Sequence, residues 1–122
     1  MTKLKLKSLP SNMQSSTYQA LLVSVDHLEV CDKVILSDLA NAISADIVGA
    51  HSILFNRVFE RDSGYFIKLM WCEDSSDLDT ELATFQSVGL SDGLLNIIKF
   101  ALEHEVTMLE FDCDGEVFEC FK

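Results

Sequence analysis

Apolar residues recur at two different spacings along this chain, and the order of these spacings constrains its fold more than any other feature. Residues 20–25 (ALLVSV) and 65–72 (YFIKLMWC) are short, β-prone runs, and residues 52–60 alternate imperfectly between apolar and polar side chains. In residues 28–44 and 91–104, apolar side chains instead recur every three or four positions, as in helices with one buried face. These five segments predict the order β-α-β-β-α.

Polar residues mark the ends of these segments. Asp26, with Glu29 three positions later, predicts a capped start for the first helix, and Ser91 predicts one for the second. Residues 61–64 (RDSG) predict a turn that joins two strands into a hairpin. Residues 45–51 fit either a loop or the start of a strand, so the boundary between the first helix and the hairpin stays open.

A second hairpin is predicted near the C-terminus. Residues 106–113 and 116–121 flank Asp114-Gly115, a strong signal for a two-residue hairpin loop. The complete order is then β-α-β-β-α-β with one added C-terminal strand. This order predicts an α+β fold of ferredoxin-like pattern, in which an antiparallel sheet carries two helices on one face.

Length and composition fit a single folded domain. The chain has 122 residues, of which 48% are hydrophobic, enough for a modest core without disulfide or metal support. Residues 1–18 are basic and end in a run rich in Ser and Asn, so we expect a flexible N-terminal tail before a single α+β domain at 19–122. No run reaches the roughly 18 to 20 apolar residues of a membrane span. We therefore expect a cytoplasmic protein that does not contact membranes.

The net charge of the chain lies almost entirely in its second half. Residues 1–72 contain seven acids and seven bases, whereas residues 73–122 contain thirteen acids and two lysines, which accounts for the formal net charge of −11. This half begins with an acidic loop at 73–89, in which a short helix is predicted at 77–85. Such a charge attracts basic proteins and repels nucleic acid and anionic membranes. We therefore expect a basic protein partner and no direct nucleic-acid binding.

The carboxylates of the predicted C-terminal hairpin break a local rule. A two-residue loop at Asp114-Gly115 would place Glu110 directly opposite Glu119 on one face of the sheet, with Asp112 diagonally adjacent. Like charges that face each other across a strand pair are unfavourable. Residues that conflict with the local preferences of a helix or strand are concentrated at functional sites.

Two further acids lie at an unfavourable helix end. Glu103 and Glu105 follow the last turn of the second helix, where the macrodipole favours cations. An acidic protein also places some carboxylates poorly without functional reason, where water and salt screen them. Both explanations stay open for the candidate binding residues, which are Glu103, Glu105, Glu110, Asp112, Asp114 and Glu119.

The sequence indicates no catalytic, cofactor or metal site. Its three histidines are far apart, and its four cysteines are widely spaced, so the cysteines are expected to be reduced and mostly buried. The run Asp112-x-Asp114-Gly115 matches part of a calcium loop but lacks the other ligands and fits a hairpin turn better. We therefore expect no enzyme activity, no cofactor and no structural metal.

Residues 107–121 (TMLEFDCDGEVFECF) follow an apolar helix and contain the motif F-D-x-D-G. Together with residues 20–28 (ALLVSVDHL) before the first helix, this segment resembles an uncharacterised family of small acidic bacterial proteins carried on plasmids, genomic islands and integrative elements. The resemblance is most specific at residues 111–115. It implies an accessory protein of a mobile element, and it supplies no catalytic residues.

These features favour a non-enzymatic binding protein whose acidic half docks on a basic protein surface, for example as a DNA mimic that binds a nucleic-acid-binding protein. The alternative is a small structural or regulatory domain that self-associates as a homodimer through an exposed sheet face, with acidity that serves solubility. An acid-based or metal-dependent enzyme would require a pocket that the sequence does not indicate. Displacement of a basic DNA-binding protein from DNA would favour the first hypothesis, and a dimer with a free acidic face the second.

Overall fold

Residues 19–41, 54 and 57–121 are described by a computed structural model of the chain. They form an α+β fold, as predicted, with a four-stranded sheet and three helices. Short 3-10 turns lie at Val25–His27 and at Glu119–Phe121. In chain order, the strands and helices are β1 (Gln19–Ser24), α1 (Val30–Ala40), β2 (Val58–Arg61), β3 (Gly64–Lys68), α2 (Ser75–Ser87), α3 (Asp92–Glu103) and β4 (Val106–Asp112).

β4 is an inner strand of the sheet, whose strand order is β1-β4-β3-β2. β1 runs parallel to β4, with Val23 beside Phe111, whereas β3 runs antiparallel to β4, with Ile67 beside Leu109. β2 and β3 form the predicted antiparallel hairpin. The sheet is therefore mixed, and the predicted fully antiparallel, ferredoxin-like arrangement is not confirmed. Apolar spacing identifies a strand, but it does not determine which neighbour the strand pairs with.

One face of the sheet and all three helices share a hydrophobic core. Alternate residues of the strands point to this face, among them Ile67, Leu109 and Phe111, which are fully buried. In the described part of the chain, α1, α2 and α3 contribute to this core instead of the predicted two helices, because residues 75–87 form a complete helix where only a short one was expected at 77–85. The helices contribute Leu36, Leu39, Phe85, Leu94, Ile97, Ile98 and Ala101.

Local capping signals set the start of the helices. Ser91 is the N-cap of α3, as predicted, and its Oγ accepts a hydrogen bond from the Leu94 N–H at 3.2 Å. The N-cap of α1 is Glu29 and not Asp26, because residues 25–27 first form a 3-10 turn. The Glu29 N–H donates to Asp32 Oδ2 at 3.0 Å, which is half of a capping box one turn later than expected.

The predicted C-terminal hairpin strand does not form. Both edges of β4 are already paired, one with β1 and the other with β3, so no edge is left for a strand at 116–121. The chain instead turns after β4 and crosses the end of β1, where the Ser24 N–H donates to the Glu116 carbonyl at 3.0 Å. Glu110 and Glu119 are consequently not cross-strand neighbours, and the predicted repulsion between them is wrong.

Some expectations concern residues outside the described ranges. These are the tail at 1–18, the end of the first helix at 42–44 and the loop at 45–51. In the described part of the stretch 52–60, which was expected to be a strand, Leu54 is helical and the strand begins only at Val58, so the expected start of this strand is wrong. Among the described residues, no helix is long and apolar enough to cross a membrane.

Candidate functional site

The six predicted binding residues do not form one cluster. Glu103 is the last residue of α3 and is exposed, as is Glu105 just after it. Asp114 is also exposed but lies beyond the other end of β4, which has seven residues and is about 20 Å long. Glu119 is exposed in the 3-10 turn that ends the described chain. The exposed candidates therefore lie near both ends of β4.

Glu105 is held in a strained backbone conformation. Its φ angle is 61°, in the left-handed region where glycine or asparagine is favoured at the end of a helix. Its N–H donates to the Leu102 carbonyl at 3.3 Å, so it continues the last turn of α3. Its carboxylate also lies at the negative end of the helix dipole. The expectation that this position breaks a local rule is confirmed, and the backbone adds a second unfavourable contribution.

Glu110 of β4 is neutralised by Arg61 of β2, which lies on the far side of β3. Its Oε1 accepts a hydrogen bond from Arg61 Nη1 at 2.8 Å, and the Arg61 guanidinium lies 4.9 Å from the centre of the Phe66 ring. Glu110 and Phe66 are direct partners across β3 and β4. Glu110 thus belongs to a stacked ion pair on the sheet face opposite the helices, and it is not a free member of an acidic surface.

Asp112 organises the turn that follows β4. It is almost completely buried, and its carboxylate accepts hydrogen bonds from the Ser63 hydroxyl at 2.8 Å and from the Asp114 N–H at 2.9 Å. The N–H of Asp114, followed by the Ser63 hydroxyl, lowers the pKa of Asp112. A Cβ atom on Gly115 would lie 2.5 Å from the Val23 carbonyl carbon, so only glycine fits there. The F-D-x-D-G motif therefore has a structural role, with its phenylalanine in the core.

Replacement of Asp112 by asparagine should make unfolding less sensitive to acid. The pKa of Asp112 is lower in the folded protein than in the unfolded chain, so its stabilising contribution is fully present above about pH 4 and is lost as the pH falls through the folded value. Urea midpoints measured between pH 5 and pH 2 should fall less steeply for Asp112→Asn than for wild type. Asp114→Asn, at an exposed neighbour, is the matched control. Equal slopes for all three proteins would contradict this role.

The residues after this turn are held by an aromatic cluster that the sequence did not predict. The Phe118 N–H donates to His27 Nε2 at 2.9 Å, which requires that this nitrogen carries no proton. The Phe121 ring contacts the rings of His27 and Phe100 edge to face, with centroids 5.7 Å and 5.2 Å apart. The C-terminal segment is thereby attached to α3 and to the 3-10 turn after β1.

A buried carboxylate links the N-termini of α1 and α3. Asp32 is 0% exposed, and its Oδ1 accepts a hydrogen bond from the Ser91 N–H at 2.8 Å. Its Oδ2 accepts from the Ser91 hydroxyl at 2.6 Å and from the Glu29 N–H at 3.0 Å. Since all these donors belong to the protein, the role of Asp32 is structural. The capping pattern around Glu29 is the only local signal of this role in the sequence.

The cysteines are more exposed than expected. Cys31, Cys113 and Cys120 are exposed and Cys72 is half-buried, so the expectation that most are buried is wrong. Cys31 and Cys113 each lie within 4.8 Å of two carboxylates. Desolvation, followed by the neighbouring negative charges, raises the pKa of both thiols, which disfavours the thiolate that binds metals. Because Asp32 and Asp112 already accept internal hydrogen bonds, these clusters fit folded turns better than metal sites.

A groove runs between the chain after β3 and the first turns of α2. It has a volume of about 250 Å³ and is lined by Met70, Trp71 and Cys72 on one side and by α2 on the other. We call this feature the Trp71 groove. The sequence predicted that Met70, Trp71 and Cys72 belong to a strand that ends at Cys72, whereas β3 ends at Lys68. The α2 wall consists of Asp77, Thr80, Glu81 and Thr84.

A cavity of about 450 Å³ lies between α1 and the turn that joins β2 to β3. Its charged lining includes Lys33 and Arg61 beside Glu60 and Asp62, so opposite charges balance. The Tyr65 hydroxyl lies 3.2 Å from Ser37 Oγ, which also donates to Glu60. These polar groups bind one another, and the cavity carries no excess charge that would select a ligand.

Residues 20–122 match the model of DUF5983, a family of unknown function, in its C-terminal domain. The chain therefore belongs to this family, in agreement with the expected resemblance to an uncharacterised one. Searches of curated proteins and of solved structures gave no match. The matched region includes all six candidate binding residues and the Trp71 groove.

Proposed function

We propose that this protein is a non-enzymatic binding domain that docks its acidic half on a basic protein surface. The observation that carries the proposal is the exposure of ten of the thirteen acids found after residue 72. Arginines of the first half pair with Glu81 and Glu110. The exposed acids are Glu73, Asp74, Asp77, Asp79, Asp92, Glu103, Glu105, Asp114, Glu116 and Glu119.

The position of Glu105 supports a functional use of this charge. An acid in a left-handed conformation at a helix C-terminus opposes folding through both its backbone and its charge. Local inconsistencies of this kind concentrate where function selects the residue. A chain that required acids only for solubility could place them at positions without this cost.

In its most specific form, the proposal is that these carboxylates replace the phosphates of a DNA duplex, which carries about one charge per 1.7 Å of axis. A nucleic-acid-binding protein is then the partner, and the acidic domain competes with its DNA. The resemblance based on the F-D-x-D-G motif supports a more specific biological role. The domain would be an accessory protein of a mobile element and would act in the bacterial cytoplasm. Steered association between opposite charges is fast and falls with ionic strength.

Neutralisation of three exposed acids should slow binding without loss of stability. The test variant combines Glu103→Gln, Glu105→Asn and Asp114→Asn, and asparagine at position 105 also relieves the left-handed strain. Basic proteins retained from a bacterial lysate by wild type are identified first. Their association rates are then measured at low salt by surface plasmon resonance, where we expect a decrease of about threefold or more for the variant.

The matched control is a second triple variant, Asp26→Asn, Asp38→Asn and Asp62→Asn, which removes three exposed acids from the neutral half. It should keep the wild-type association rate within about twofold. Equal rates for the two triple variants would overturn the proposal that the acidic half steers binding. Release of labelled duplex DNA from the captured protein by wild type would support the DNA-mimic form, and persistence of the protein–DNA complex would exclude it.

A second function, self-association through a sheet face, is favoured by one observation. On the face opposite the helices, Leu22 is 46% exposed and Phe59 is 41% exposed. They lie in one row across the sheet with Phe66 and Glu110, and Glu110 lies between Leu22 and Phe66. Exposed apolar patches commonly mark protein contacts. A dimer in sedimentation velocity that retains no basic protein would favour this function over the first.

A further inference from the structure

The Trp71 groove combines exposed apolar side chains with a formed wall. Met70 is 57% exposed and Trp71 is 55% exposed, although both are large hydrophobic residues that usually lie in a core. On the opposite wall, Asp77, Thr80 and Thr84 line the groove from α2. Tryptophan and methionine are enriched in protein interfaces, and tryptophan is among the residues that contribute most of the binding energy.

The base of the groove is held in place by a buried ion pair. Glu81 is 4% exposed, accepts a hydrogen bond from the Met70 N–H at 2.7 Å and pairs with Arg57. Arg57 also donates to the Lys68 carbonyl, with Nη2 at 3.0 Å, and lies 5.4 Å from the centre of the Phe85 ring. The backbone that presents Met70 and Trp71 is therefore fixed to α2, so little ordering is needed when a partner binds.

The charge around the groove is negative. Between Lys68 and Lys99 the sequence contains no Lys, Arg or His. The N-terminal end of α2 presents four exposed acids, and the Glu81 charge is already balanced by Arg57. Desolvation, followed by the charges of Glu81 and Asp77, raises the pKa of Cys72, which lines the groove. The four exposed acids are Glu73, Asp74, Asp77 and Asp79.

We propose that the Trp71 groove binds a basic segment of the partner through a lysine or arginine side chain. The aliphatic part of that side chain packs on Trp71 and Met70, and its cationic end lies beside Asp77. Lysine and arginine side chains combine an apolar stem with a cationic end. A cation close to the face of an indole ring is attracted further by a cation–π interaction. This proposal about the Trp71 groove rests on the proposed function, because it identifies where the basic partner would bind.

The test uses the fluorescence of Trp71, the only tryptophan of the chain. The probe is a labelled, acetylated and amidated hexapeptide of alternating arginine and leucine, and its uncharged counterpart has citrulline in place of arginine. We expect saturable changes in Trp71 emission and in peptide anisotropy with the arginine peptide. The dissociation constant should rise by about tenfold or more between 50 and 300 mM salt. The citrulline peptide should bind at least about tenfold more weakly.

Two variants compare the same lost charge in the first turns of two helices, and asparagine at position 77 keeps an oxygen that can accept the Glu73 N–H, which lies 3.1 Å from Asp77 Oδ2. Asp77 lies in the first turn of α2 and lines the groove, whereas Asp92 lies in the first turn of α3 and does not. Asp77→Asn should weaken arginine-peptide binding by about fivefold, and Asp92→Asn by less than about twofold. Circular dichroism and urea unfolding verify that both variants remain folded.

The outcomes separate this site from the proposed function. If the peptide binds without a change in Trp71 emission, or if the two variants weaken binding equally, the Trp71 groove is not the binding site. Another acidic surface would then bind the peptide. Absence of peptide binding by both readouts would also overturn the groove, while the lysate experiment independently decides the proposed function. Binding that depends on charge, on Trp71 and on Asp77 supports the groove.

Discussion

Substitution of Gly64 by alanine should lower the free energy of unfolding by more than about 3 kcal/mol. A Cβ atom at this position would lie 1.6 Å from the Phe111 carbonyl oxygen and 2.6 Å from its carbon. These are backbone atoms of β4, an inner strand that is also paired with β1, so the strand has no room to move away. Urea unfolding followed by circular dichroism measures the effect, and a variant that fails to fold would also agree with it.

Gly93→Ala is the matched control for this prediction. Its Cβ atom would have as nearest neighbour Ser91 Oγ at 3.9 Å, an ordinary contact, and the residue lies in the first turn of α3. Alanine should therefore leave stability unchanged or raise it by up to about 1 kcal/mol. Similar urea midpoints for Gly64→Ala and Gly93→Ala would contradict the close contact between Gly64 of β3 and the Phe111 backbone.

The same position shows how far the sequence determines the fold. The run at 61–64 and the β-prone residues after it correctly predicted the hairpin of β2 and β3, because turn chemistry and strand propensity are local properties. Gly64 was interpreted as a turn residue, yet it is a strand residue pressed against a partner strand. That contact depends on strand order, which no local pattern records.

The missed C-terminal hairpin has a related cause. Asp114-Gly115 is a strong turn signal, and a turn does form, but a hairpin also requires a free strand edge, and β4 has none. The candidate binding residues show the same difference between local determinants and determinants that depend on strand pairing. Exposure of Glu103 and Glu105 follows from their place at a helix end, whereas the engagement of Glu110 with Arg61 depends on strand pairing.

The Trp71 groove was not predictable for a different reason. Trp71 and Met70 continue an apolar run, and such runs usually belong to a buried strand, so their exposure reverses the ordinary expectation. The reversal arises because β3 ends at Lys68 and the longer α2 meets the chain just beyond it through Glu81. A buried acid in the middle of an acidic segment is not distinguishable in sequence from its exposed neighbours.

Replacement of Asp32 by alanine should lower the free energy of unfolding by about 3 kcal/mol. Alanine leaves two backbone N–H groups, of Glu29 and Ser91, and the Ser91 hydroxyl without their acceptor at a position that is 0% exposed. Asp32→Asn retains one acceptor oxygen but loses the charge that strengthens these bonds, so its effect should be intermediate. Urea unfolding and the protection of the Ser91 amide in hydrogen exchange measure the loss.

Asp38→Ala provides the comparison on the same helix, because Asp38 is exposed and should change stability by no more than about 0.5 kcal/mol. If Asp32→Ala were no more destabilising than Asp38→Ala, Asp32 would not link α1 to α3. A large loss confined to Asp32 would instead show that this carboxylate stabilises the fold and that an exposed acid of the same helix does not. One buried carboxylate of the neutral half joins α1 to α3, while ten carboxylates of the acidic half lie exposed.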